Sequence, residues 1–333
     1  MLFGFHKRRS ETAMSEKYET IVPSEPDAGE RLQWVSWLRS AAPYVHLHHG
    51  RTFVISFAGE VVADRTLLNH LVMDVSLIAS MGMRVVLVHG SRPQIEELMG
   101  LRKLEGQFYK GVRITGPQEL ECVKEACGET RFDIEAAFSQ GLPNTPMQHS
   151  RIKVVSGNFV TARPMGIIDG VDYLHTGVVR KVDAESIQDL LSRGNIVLVS
   201  PTGFSPTGEA FNLTTEDVAT AIAVAIHADK LILSVGVDGV RVRGEKQQDL
   251  TAQQAQALIQ SKQVDDEDVY NLGYALRAIK GGVDRVHIVP YAMDGGILTE
   301  LFTHDGVGTM ISTENMESLR EATIDDVAAI VKL

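Results

Sequence analysis

Cysteine is nearly missing from this sequence. The two present, Cys122 and Cys127 in PQELECVKEAC, are five positions apart. On a helix that spacing puts them on different faces, which argues against an internal disulfide and suits a reducing cytoplasm. Long apolar runs are also lacking. A membrane-crossing helix needs about 18 uninterrupted apolar residues, and the greasiest stretch, LVMDVSLIASMGMRVVLV, is broken by Asp74 and Arg84. The amino terminus, MLFGFHKRRSETAMSEKYE, has too short an apolar start and too early a charge cluster for a secretory signal. Positive charge is scarce: 32 Lys and Arg stand against 43 Asp and Glu, a formal net charge of -11. That balance argues against nucleic acid, whose phosphates most of the surface would repel, and leaves small anions open. No internal repeat and no low-complexity tract occurs. His46, His48 and His49 are the densest histidine group, but no further ligand stands at a telling spacing. A turn-and-strand role is expected for them, and no metal.

What is present is an α/β pattern. A chain of 333 residues, 44% of them hydrophobic, fits one large α/β domain or two smaller ones. Two β-branched runs, TFVISFAGE (Thr52–Glu60) and MRVVLVHGSRPQ (Met83–Gln94), end at small residues, as parallel strands do when their carboxyl ends face a ligand. Helices are expected over Asp64–Met81 and Arg92–Leu101, and after Pro117. This β-α-β-α order predicts a parallel sheet with covering helices. FNLTTEDVATAIAVAIHADKLILSVGVDGV is the clearest βαβ element, with Asn212 or Thr214 as cap. IKVVSGNFVTARPMG and VDYLHTGVVRKVD read as a hairpin flap over one end of the sheet, and Asn195–Phe204 as a third strand. VDDEDVYN reads as an acidic loop, followed by helix LGYALRAIKGG and strand VDRVHIVPY.

At the ends, residues 1–29 read as a polar tail, with Met14 an alternative start to Met1. Glu30–Ala42 is an amphipathic helix that Pro43 should stop; its Trp34 and Trp37 are expected to pack on this chain's own sheet, with a subunit contact as the alternative. Residues 314–333 read as a linker and a helix capped by Thr323, with Ile324, Val327, Ile330 and Val331 as an apolar stripe.

The glycine turns lack a phosphotransferase's working parts. A transferring phosphoryl group needs a fixed cation, yet Ser56 and Phe57 precede Ala58-Gly59, and Gly90 is followed by Ser91 and Arg92.

Taken together, TFVISFAGE, VVLVHGSRPQIEELM, GVRITGPQELE, VVSGNFVTARP, FNLTTEDVAT and ELFTHDGVGTMI resemble the amino-acid kinase family over about residues 31–313. They are similar to acetylglutamate kinases and, more closely, to the amino-terminal domain of bacterial N-acetylglutamate synthases. The resemblance implies a three-layer αβα sandwich with a mainly parallel central sheet, the carbamate kinase-like fold, over residues 30–313. It implies an enzyme family that transfers acetyl from acetyl-CoA to the amine of L-glutamate in the first step of arginine biosynthesis. That chemistry belongs to a separate acetyltransferase domain, whose linker and first helix 314–333 resembles. L-arginine is the implied effector, and a homo-oligomer, a hexamer paired through the amino-terminal helix, the implied assembly. No cofactor is implied for this domain.

The kinase positions depart from the family pattern. Ser56 stands where acetylglutamate kinases have a lysine, Gly59 keeps one of a glycine pair, and Gly90 one of a triplet. Glu216 aligns with the organising aspartate and Asn212 with the motif before it. The second lysine has no counterpart, and Lys280 lies out of context. Removing one such donor typically costs ~10²–10³ in rate. These residues, with Arg113, which aligns with a reader of substrate carboxylate, are expected to form a vestigial pocket. The chain is expected not to be a kinase and to carry no catalytic residue for acetyl transfer. The resemblance assigns L-arginine to His287, Glu300 thirteen positions later, and the glycine loop Gly306 and Gly308, with Tyr44 nearby. Alternatives are a free-standing arginine-binding regulator that docks on a separate acetyltransferase, and a surviving acetylglutamate kinase.

Overall fold

The computed structural model describes residues 28–140 and 152–313. The tail over 1–27 and the 314–333 segment lie outside the described residues. Eight strands make the central sheet: β1 Thr52–Phe57, β2 Arg84–His89, β3 Val154–Ser156, β4 Ile196–Val199, β5 Lys230–Val235, β6 Asp249–Thr251, β7 Arg285–Pro290 and β8 Thr309–Ser312. Their order is β6-β8-β7-β5-β1-β2-β4-β3. Every pair is parallel except β7–β8. The helices are α1 Ala28–His48, α2 Gly59–Ala63, α3 Arg65–Ser80, α4 Arg92–Leu101, α5 Pro117–Ser139, α6 Ala184–Ser192, α7 Thr215–Ala225, α8 Ala252–Ser261, α9 Asp266–Lys280 and α10 Gly296–Phe302.

Alternation along the strands divides the core into two faces. Val54, Val86, Val88, Leu231 and Leu233 pack with residues of α6, α7, α8 and α9 on one side. Phe53, Ile55, Phe57, Val85, Leu87 and Ile232 pack with α3, α5 and α10 on the other. The result is a three-layer αβα sandwich. Cys122 and Cys127 are buried and free on α5. Among the described residues no helix is long and apolar enough to cross a membrane.

Several expectations are corrected. Pro43 does not stop α1; it lies inside a helix that begins at Ala28 and runs to His48. Proline removes one intrahelical bond, but the last turn is held from outside. Ala41 is buried, and the ring N–H of His48 donates to the Leu301 carbonyl at 3.0 Å. That turn also places His46 and His48 on helix rather than on turn and strand, with His49 next, donating to the Met81 carbonyl at 3.0 Å. Trp34 and Trp37 do not pack on the sheet: they are 61% and 51% exposed. The acidic stretch is no loop but the first turn of α9, where Asp265 caps Asp268 N at 2.8 Å and the acids favour the helix dipole. Thr214, not Asn212, occupies the N-cap position of α7, and its hydroxyl pairs with the Tyr274 hydroxyl at 3.3 Å rather than with the helix. The hairpin flap is a separate four-stranded sheet of 210–212, 202–204, 160–164 and 177–182. Val154–Ser156 leaves it to edge the central sheet as β3, and Thr202–Phe204 breaks from β4 to join it.

Candidate functional site

The parallel sheet has two ends, and the candidate residues fall at both. At the carboxyl end, β1 and β2 turn against one another. A Cβ on Gly90 would lie 2.8 Å from Gly59 N, and one on Gly59 would lie 2.7 Å from Gln94 Oε1 and 2.8 Å from Pro93 Cδ. Gln94 Nε2 also donates to the Gly59 carbonyl at 2.8 Å. The glycines therefore admit neighbouring protein, and their close approach serves packing. Ser56 is buried, its hydroxyl 3.5 Å from the Ile232 carbonyl. His89, fully buried, accepts from the Ser200 hydroxyl at 2.8 Å. Burial pulls its pKa down to about 4, so the ring is neutral.

The other vestigial positions are held separately. Arg113 donates to Glu96 at 3.2 Å and stacks 4.6 Å from the Phe108 ring centre. Its carbonyl accepts from Thr176 Oγ1, which also reaches Thr115 Oγ1; Asn212 Nδ2 donates to that same Thr115 oxygen at 3.0 Å. Glu216 accepts from the Tyr270 hydroxyl at 3.2 Å, and burial raises its pKa. Arg113 and Asn212 thus share a threonine knot, while Glu216 is engaged elsewhere. Lys280 lines a groove beside α7.

At the amino end lies a cavity of about 580 Å³. Its wall brings together Arg51 before β1, Asp229 and Lys230 at the start of β5, and Arg285 at the start of β7, with His48 from α1. Asp229 is committed: one oxygen accepts from Arg51 and the other from Thr52 N, both at 2.8 Å. Lys230 is 6% exposed. Burial, then the nearby Arg285, lowers its pKa to about 8.

Behind Lys230 runs a buried relay. Its ammonium donates to His287 Nε2 at 3.1 Å, and His287 Nδ1–H donates to Glu300 Oε1 at 2.7 Å. Glu300 Oε2 accepts from the amides of Val307 at 2.7 Å and Gly308 at 2.8 Å. Burial, then Lys230, lowers the pKa of His287 to about 4, which makes it a neutral bridge. Burial of Glu300 works to raise its pKa, but the bond from His287 and the two amides outweigh it and hold the carboxyl at about 2. The loop depends on its glycines. Gly306 sits at φ +61°, where a Cβ would also meet Glu300 Oε2 at 2.5 Å, and a Cβ on Gly308 would lie 2.1 Å from the Ile288 carbonyl.

His287, Glu300, Gly306 and Gly308 therefore converge. Tyr44 stands one helical turn before His48, half-buried on the core face that α10 joins. Sequence reading missed Lys230, His48, Arg51 and Arg285. The available signal was a charge at the first position of each buried run, KLILSV and RVHIVP.

The sandwich and its two ends define a class of protein, the amino-acid kinase fold. The pattern of the Amino acid kinase family matches residues 51–290. Amino-acid acetyltransferase of Ralstonia nicotianae is 55% identical over 309 residues, 92% of this chain and 68% of that protein. The same enzyme of Ectopseudomonas mendocina is 48% identical over 90% of this chain and 69% of its own. The chain thus spans about two thirds of the length of these relatives. The structure of N-acetylglutamate synthase from Neisseria gonorrhoeae complexed with coenzyme A and L-arginine superposes with a TM-score of 0.81 at 34% identity. The match covers 90% of this chain and 70% of that one. Carbamate kinase from Giardia lamblia, 13% identical with a TM-score of 0.62 over 80% of this chain and 99% of its own, shares the fold alone. The chain belongs to the amino-acid kinase family and, within it, to the amino-acid acetyltransferases, the N-acetylglutamate synthases.

Proposed function

We propose that residues 30–313 are the arginine-sensing, oligomer-forming domain of an N-acetylglutamate synthase. In that reading the whole enzyme moves acetyl from acetyl-CoA to the amine of L-glutamate in the cytoplasm, in a domain toward which 314–333 lead. The observation that carries the reading is the relay from Lys230 through His287 and Glu300 to the Gly306–Gly308 loop, placed behind a cationic cavity. Lys230 and Arg285 supply positive charge for the α-carboxylate of arginine. The carboxylate of Glu300 is kept ionised but buried behind the cavity wall. It supplies the opposite pole for the guanidinium by exchanging one of its bonds to His287 or the loop amides for a charge-assisted pairing with strong geometric preference. The neutral His287 joins the two poles, so ligand at either end is felt by the glycine loop. The arginine complex of the gonococcal enzyme supports the ligand class.

The exposed side of α1, with Leu32, Trp34, Trp37 and Leu38, is the face we assign to pairing between subunits of a hexamer. The pocket of Ser56, Gly59, Gly90, Arg113, Asn212 and Glu216 is assigned no phosphoryl transfer; ADP release that falls in a Glu216→Ala variant would restore the kinase reading.

Thermal melting with L-arginine against L-lysine tests the ligand. At about 100 times its Kd, a ligand stabilises the native state by ~2.7 kcal/mol. The shift should follow arginine and vanish in Glu300→Ala. Lys230→Met, which leaves the loop amides paired with Glu300, should weaken it as well. Equal response to both amino acids, or an undiminished shift in both variants, removes the site assignment.

A further inference from the structure

The groove that holds Lys280 has no part in the arginine reading. It is a cavity of about 590 Å³ between α7, the end of α9 and the Gly177–Val182 strand. Its floor is apolar, formed by Val179, Val182, Ala221 and Val224. The turn after α9 closes tightly on that floor, because a Cβ on Gly281 would lie 2.4 Å from Val224 Cγ2.

One hydroxyl interrupts the floor. Thr220 is 1% exposed, and its Oγ1 has no hydrogen-bond partner among the described residues. A helical threonine commonly returns its hydroxyl to a carbonyl one turn back, and a buried polar atom left unpaired is unfavourable. An acceptor arriving in the groove would satisfy it.

The rim is cationic. Arg277 is already engaged, 2.7 Å from Asp217 Oδ1 and stacked 4.9 Å from the Tyr274 ring centre. The second oxygen of Asp217 accepts from Val179 N at 3.0 Å. The lining's one carboxylate is therefore neutralised within the protein. Arg180, Lys181 and Lys280 remain exposed around the mouth with no ion pair among the described residues. Asp183 lies within the field of Lys181, but three cations against that one exposed acid keep the groove mouth positive in a chain whose net charge is -11, a local field that concentrates anions.

We infer that this groove binds a small organic anion with an aliphatic body. Its acidic oxygens lie on Lys181, Lys280 and Arg180, its carbon chain on the valines, and a polar atom reaches Thr220. The volume falls within the range of small-molecule sites, about 300–1,000 Å³. Inorganic phosphate would leave the floor uncovered, and an uncharged alkyl alcohol would leave the rim charges unmet.

Calorimetric titration and carbon-13 methyl NMR on the full chain test this, with hexanoate and adipate as probes and hexan-1-ol and inorganic phosphate as controls. The carboxylates should bind saturably, at least about fivefold more tightly than either control, and shift the methyl signals of Val179, Val182 and Val224. Lys280→Glu should weaken them at least about tenfold. Thr220→Val, which keeps the shape, should weaken them about threefold or more while raising the melting temperature of the unliganded protein. Both variants should keep the response to L-arginine, so that this inference and the arginine reading fail separately. Carboxylates that leave those methyls unmoved, bind no better than the controls, or bind both variants as they bind the parent chain overturn it.

Discussion

The two ends of one sheet have been used in opposite ways. At the carboxyl end the backbone turns that could admit a phosphate are filled by Gln94 and Pro93, and the buried histidine, His89, is neutral and paired with a serine. At the amino end the strands begin with charge: Lys230 and Arg285 face a cavity, and the lysine is linked through His287 to an ionised Glu300. Close protein packing after β1 and β2 at one end and a paired charge relay from β5 and β7 at the other arise on one sheet. A parallel sheet gathers its strand starts at one edge and its strand ends at the other, so the two ends can change chemistry independently.

The sharpest way to break the contrast is through glycine. Gly308→Ala would drive a Cβ to 2.1 Å from a backbone carbonyl that cannot yield, and the loop holding Glu300 would have to move. We expect a loss of about 4 kcal/mol or more in urea unfolding. Gly50→Ala is the control, since it has φ +74° but open space around it, and should cost only about 1–2 kcal/mol.

A second effect is smaller and separates the regions by pH. His287, pulled down to about 4, takes up a proton on unfolding below its ordinary 6.5, so its contribution is lost as pH falls from 6.5 toward 4. Glu300, held at about 2, contributes fully above its ordinary 4.5 and loses that contribution as pH falls toward 2. On the α3 side the sign reverses. Burial, then the charge of Asp294, raises the pKa of Asp74 to about 7, so its ionisation opposes folding as pH rises from 3.8 through 7. Asp74→Asn should therefore stabilise by about 2 kcal/mol above pH 7 and by nothing below pH 3.8. A gain independent of pH would show that the buried carboxyl is not its source.

The smallest effect concerns α1. Trp34→Glu with Trp37→Glu should change the stability of the isolated subunit by about 0.5 kcal/mol or less, because both rings face outward, while sedimentation should show a smaller assembly. A loss of several kcal/mol without dissociation would mean that the tryptophans pack within the chain after all.

Much of the sandwich was readable from residue order. TFVISF and RVVLVH are continuous β-branched runs, the signature of strands buried on both faces, and Pro117 and the acids of α7 mark helix starts. The breaks were less legible. Pro43 looked like a stop because local rules price only the lost intrahelical bond and cannot include the Leu301 carbonyl that holds His48 more than 250 positions away. The acids that open α9 carry loop composition and helix-start chemistry at once. The pair His287 and Glu300 was reached through family likeness, whereas Lys230, its third member, was not, since nothing in KLILSV says that a histidine on a neighbouring strand receives its ammonium.

Periodicity and turn chemistry settle which segments are strands or helices and which faces are apolar, because those preferences act over a few neighbouring residues. The absent kinase lysine is likewise plain from residue type alone. Which charges meet is another matter. Lys230, His287 and Glu300 come from two strands and a helix brought together by the packing of the sheet, and their ionisation states follow from burial and from one another. Those are properties of a folded neighbourhood and not of any stretch of chain.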